Sequence, residues 1–67
     1  MANHYGSSLT DDIRKAIFAA LVELQDQKMT PAKSRQVVGE KYSLPYFLVA
    51  EVEAEGMAKD WPPLGDG

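Results

Sequence analysis

The residues able to do chemistry are few, and their spacing argues against catalysis. The one histidine, His4, stands in the polar opening Met1 to Ser8. A general base or a metal ligand needs a positioning neighbour, and that stretch offers none. Glu51, Glu53 and Glu55 alternate, which on a helix sends them to different sides rather than into a convergent acid–base pair. Glu53 falls near the expected buried arc, where an ion pair with Arg14 or Lys28 is the predicted role. Ser7, Ser8, Ser34 and Ser43 have no partner base, and neither type of glycine-rich phosphate cradle occurs. Cysteine is absent, so no disulfide framework or thiolate metal site is available. The expectation is a non-enzyme without cofactor, metal or an evident small-molecule substrate.

Charge is the next discriminator. Net charge is −3, but residues 10–42 balance to +1 and residues 43–67 to −4. An acidic second half repels phosphate, whose contact supplies most non-specific nucleic-acid affinity. Sixty-seven residues allow one domain, near the lower size limit for folding alone. A hydrophobic share of 45% with 25% charged residues matches a soluble globular chain rather than a disordered one. The opening residues lack the basic and apolar regions of a signal peptide, and no apolar run reaches the ~20 residues that span a bilayer. Together with the missing cysteines, this predicts a cytoplasmic protein.

The elements follow from local signals. Residues 1–8 are expected to be a flexible leader, 9–60 a three-helix domain and 61–67 an extended tail. Thr10 is a suitable N-cap, and Asp11 and Asp12 suit the positive end of a helix dipole. Ile13, Ile17, Ala20, Leu21 and Leu24 then recur on one helical face. Met29-Thr30-Pro31 restarts the chain, with Thr30 as cap and Pro31 in the first turn. The second helix is predicted over 31–42, burying Val38 and Tyr42 with help from Ser34 and Val37. Gly39 inside it costs roughly 1 kcal/mol against alanine, so close approach of another helix is expected there. Ser43-Leu44-Pro45 makes the corner, and a third helix runs from Pro45 to about Lys59 with Val49, Val52, Gly56 and Met57 inward. The serial prolines after Trp61 end it.

Over residues 31–59 this outline resembles the helix-turn-helix superfamily of bacterial repressors and sigma-factor-like domains. Gly39 holds the small-residue position, Ser43 the usual turn glycine, Leu44 the apolar turn residue, and Val49 and Val52 the apolar positions of the second motif helix. Pro45 replaces the usual capping serine or threonine. The resemblance implies a DNA-binding regulator with Lys33, Arg35 and Lys41 on the backbone and Tyr46 at bases. The family's base-reading positions carry Tyr46, Phe47, Ala50 and Glu51 here. Guanine is read by Arg or Lys and adenine by Asn or Gln, and these positions hold none of them. DNA is therefore the disfavoured partner.

The favoured partner is protein. Phe47, Glu51, Ala54 and Ala58 form a stripe opposite Val49, and a solvated face would carry more charge. Phe18 and Val22 likewise lie off the main face of the first helix. These two patches, with Tyr46, are open to two readings: both reach one irregular core of a small, closely wrapped bundle, or they form a surface for self-association or for a larger assembly. Trp61-Pro62-Pro63-Leu64 is open to two readings: a recognition segment, or a packed end with Trp61 folded over the bundle. No helix combines a basic face with a broad apolar one, so membrane binding is not expected.

Overall fold

A computed structural model of the chain describes residues 9–64, and within them three helices and no strand. Helix α1 spans Asp11–Asp26, α2 Pro31–Tyr42 and α3 Tyr46–Ala58. Each packs against both of the others, giving an all-α three-helix bundle. The leader with His4, and the end at 65–67, lie outside the described residues.

The helix starts follow the predicted capping chemistry twice out of three times. Thr10 Oγ1 accepts from the Ile13 amide at 3.2 Å, and Thr30 Oγ1 accepts from the Lys33 amide at 3.2 Å. Each bond satisfies one of the donors a first helical turn leaves open. At α3 the cap position is Pro45, which has no side-chain acceptor to offer.

All three helices end in one way. Lys28, Ser43 and Asp60 adopt left-handed backbone at φ 75°, 58° and 53°. The residue after each donates its amide back five positions: Met29 to the Leu24 carbonyl at 3.1 Å, Leu44 to Gly39 at 2.8 Å and Trp61 to Gly56 at 3.0 Å. This is the Schellman termination, normally built on glycine. Here three side-chain-bearing residues hold the strained position, and an apolar residue follows each. Those apolar residues turn the chain back onto the bundle.

The core is Leu9, Ile17, Phe18, Leu21, Val38, Val49, Val52 and Trp61. Phe18 and Trp61 meet edge to face with ring centroids 6.1 Å apart, an arrangement that adds to their burial. Gly56 makes room for this contact. A Cβ there would stand 2.7 Å from Phe18 Cε1, closer than side chains pack. Gly39 serves the corner: its Cβ would fall 2.9 Å from the Leu44 carbonyl oxygen and 3.6 Å from Val49 Cγ2. The helix expected against Gly39 is there in Val49 of α3, but the corner carbonyl of Leu44 stands closer.

Three expectations are corrected. The buried face of α1 is rotated toward Phe18, which is 1% exposed, while Ile13 faces solvent. Phe18 is held inside between Gly56 of α3 and the Trp61 ring. Met57 is 59% exposed rather than inward, since Gly56 and Val52 take the contact with α1 and Trp61. Residues 61–64 form a turn, closed by the Leu64 amide donating to the Trp61 carbonyl at 2.9 Å, and not an extended segment.

Candidate functional site

A polar cluster lies where the three helices meet. Glu53 is nearly buried in the seam of all three helices. Its Oε1 accepts from Arg35 Nε at 2.6 Å and its Oε2 from Gln25 Nε2 at 2.9 Å. Gln25 Nε2 also donates to Ser34 Oγ at 3.0 Å, and that hydroxyl donates to the Pro31 carbonyl at 2.7 Å. Arg35 Nη1 donates to the Tyr46 hydroxyl at 2.9 Å, and its guanidinium lies 5.9 Å from the Tyr46 ring centroid. The Tyr46 hydrogen bond, then that of Glu53, holds the Arg35 guanidinium above its ordinary pKa. A raised arginine keeps this contribution at every pH below its ordinary titration range and loses it only in strong alkali.

The partner of Glu53 is thus Arg35, and not Arg14 or Lys28 as predicted. Arg14 instead ties α1 to α3. It donates to the Leu9 carbonyl, pairs with Asp11, and lies 3.1 Å through Nε from Glu55 Oε1. A one-helix pattern cannot reveal either pairing, because each depends on the rotation of a second helix.

With Val49, Val52, Glu53 and Gly56 turned inward, helical geometry sends the opposite side of α3 to solvent. Phe47, Glu51, Ala54 and Ala58 are all exposed, as is Tyr46, and Ala50 is half-buried between them. Phe47 is 58% exposed. Met57, expected inside, is exposed on the Glu53 flank of α3, in a hollow with Val22 and Leu64. Glu51 is the only charged residue among the six positions Tyr46, Phe47, Ala50, Glu51, Ala54 and Ala58.

Hollows flank this face at both seams. One of about 430 Å³ lies between α2 and α3, lined by Arg35, Gln36, Gly39, Glu40, Ser43, Leu44 and Tyr46. A second of about 240 Å³, between α1 and α3, is lined by Leu9, Arg14, Leu48, Glu51, Val52 and Glu55. A third, of about 190 Å³, joins Phe18, Val22, Gln25, Asp26, Glu53, Met57 and Leu64. The first holds the Ser43 hydroxyl and the Glu40 carboxylate in one lining, with no side-chain hydrogen bond between them. Among the described residues no three of His, Asp or Glu converge on a point that suits a metal ion, and no helix is long and apolar enough to cross a membrane.

The other predicted contact residues separate clearly. Phe18 is interior and Trp61 is 7% exposed, so neither offers a surface to a partner. Val22 is half-buried and shares its hollow with Met57 and Leu64, not with an exposed Phe18. Of the proposed DNA-backbone cations, Arg35 is spent on Glu53 and Tyr46, and Lys41 leans over the Tyr42 ring at 5.9 Å. Lys33 is exposed. Comparison with protein families, with curated proteins and with solved structures returned no match.

Proposed function

We propose that this chain is a non-catalytic protein-binding module, working by self-association or as an accessory subunit of a larger assembly. The observation that carries the reading is the outer side of α3, where Tyr46, Phe47, Ala54 and Ala58 face solvent with Glu51 as the one charge beside them. Tyr46 and Phe47 are 46% and 58% exposed, and adjacent exposed aromatics are a common mark of a contact site. The alanines keep the surface low, so another backbone can approach closely. Phenylalanine and tyrosine are enriched at the cores of protein interfaces.

DNA binding is the weaker reading. The outer side of α3 presents no Arg, Lys, Asn or Gln to base edges, and Arg35 is already engaged on both sides of its guanidinium. Affinity capture with the immobilised full chain tests the choice, run beside Phe47→Glu and Lys33→Glu. Polypeptides retained by the wild type and by Lys33→Glu, and lost with Phe47→Glu, agree with the proposal. Retention of duplex DNA that fails on Lys33→Glu, with polypeptide capture indifferent to Phe47→Glu, contradicts it.

A further inference from the structure

The protein-binding reading leaves open what kind of polypeptide the α3 face takes, and the charges beside that face narrow the answer. Two carboxylates bracket it. Glu51 stands at the α1 seam, in the hollow with Leu9, Leu48 and Val52. Glu40 stands at the α2 seam, in the hollow that reaches Tyr46. Both are exposed, and neither has an ion-pair partner among the described residues. The cations that share those hollows are occupied, Arg14 by Leu9, Asp11 and Glu55 and Arg35 by Glu53 and Tyr46, while Lys41, next to Glu40 in the chain, lies over the Tyr42 ring. The surface is therefore an apolar strip with an uncompensated negative charge along each margin.

The dimensions fit one helix. Thirteen residues give α3 a length of about 20 Å, and the strip is one helix side wide. Ala50, Ala54 and Ala58 are spaced four apart, so a partner helix can pack at the short end of the usual interaxial range of about 8–10 Å. The patch is well short of the roughly 800 Å² per partner of a standard stable interface, which suits a single docked segment rather than a whole subunit. A second copy of this chain fits poorly. It would join two chains of net charge −3, each with Glu51 and Glu40 beside the same face, and like charges across an interface are unfavourable.

We propose that the outer face of α3 seats a cationic amphipathic helix, with apolar residues along Phe47, Ala50, Ala54 and Ala58 and flanking lysines or arginines meeting Glu51 and Glu40. The proposal rests on the protein-binding reading and adds the sign of the partner's margins. Desolvated only at the rim, each charge pair contributes modestly; the apolar strip supplies the affinity and the carboxylates supply the selection.

The test is an amide NMR titration of the full-length chain with three synthetic peptides of about fourteen residues, matching the length of α3. One carries a leucine and alanine stripe flanked by lysines. The second replaces every lysine with glutamate, and the third shuffles the first. The lysine peptide is expected to move the amides of Phe47, Ala50, Glu51, Ala54 and Ala58, and the other two to leave them in place. Glu40→Gln combined with Glu51→Gln should weaken binding about fivefold, and Phe47→Glu should remove it while the rest of the spectrum stays dispersed. Equal binding of the glutamate peptide at the same amides overturns the cationic partner and leaves the protein-binding face standing. Amides of α3 that move with protein concentration alone make a second copy the occupant, which also overturns it. No peptide-induced change on α3 overturns it as well; the capture experiment with Phe47→Glu then decides separately whether the face binds protein.

Discussion

The two sides of α3 contrast sharply within thirteen residues. Inward, every departure from an ordinary apolar stripe has a structural cause. Gly56 clears the Phe18 ring, and Glu53 is held by Gln25 and Arg35. Outward, Phe47 and the alanines have no such cause, since none of them touches the core cluster. The lesson is that apolar composition alone does not locate a core. An inner residue is explained by what it meets inside the fold, and an outer apolar residue calls for something outside it.

The comparison breaks most easily from the inside. Phe18→Ala should cost about 3–5 kcal/mol, because it leaves a cavity beneath Trp61 and beside Gly56. Chemical denaturation followed by the Trp61 fluorescence reads that loss directly. Gly56→Ala approaches the same contact from the other side and should cost about 2–3 kcal/mol by overpacking, visible as a lower denaturation midpoint. If either variant were neutral, the close approach of α3 to α1 would be wrong.

The polar seam gives the next effect. Glu53→Ala removes the acceptor shared by Arg35 and Gln25 and should destabilise by about 2 kcal/mol, moderated by the partial solvent access of Arg35. Glu51→Ala, two residues away and without a partner, should stay within about 0.5 kcal/mol. A thermal melt of the two variants side by side checks this inner–outer pair. Smaller and of opposite sign is the effect at the helix ends. Lys28→Gly, Ser43→Gly and Asp60→Gly relieve left-handed strain and should each stabilise by up to about 1 kcal/mol.

The helix limits were legible because they are set by local chemistry. Thr10, Thr30 with Pro31, and Ser43-Leu44-Pro45 act within a few residues, and the observed elements begin and end beside them. The outward stripe of Phe47, Glu51, Ala54 and Ala58 was legible as well, since it needed only the position of Val49 and helical periodicity. What escaped was the rotation of α1. Phe18 is held inside between Gly56 and the Trp61 ring, both far along the chain, and periodicity within one helix carries no trace of that. The same holds for Glu53, whose choice of Arg35 depends on how α2 faces α3. Met57 was misplaced because a glycine before it, not a large side chain, takes the inward position.

The most direct test of the outer face is Phe47→Glu, measured for stability and binding together. The account predicts a denaturation midpoint within about 0.5 kcal/mol of the parent and the loss of polypeptide capture. A variant that unfolds would contradict it by placing Phe47 in the core. One that folds and still captures every partner of the parent would show that the face is not the binding surface.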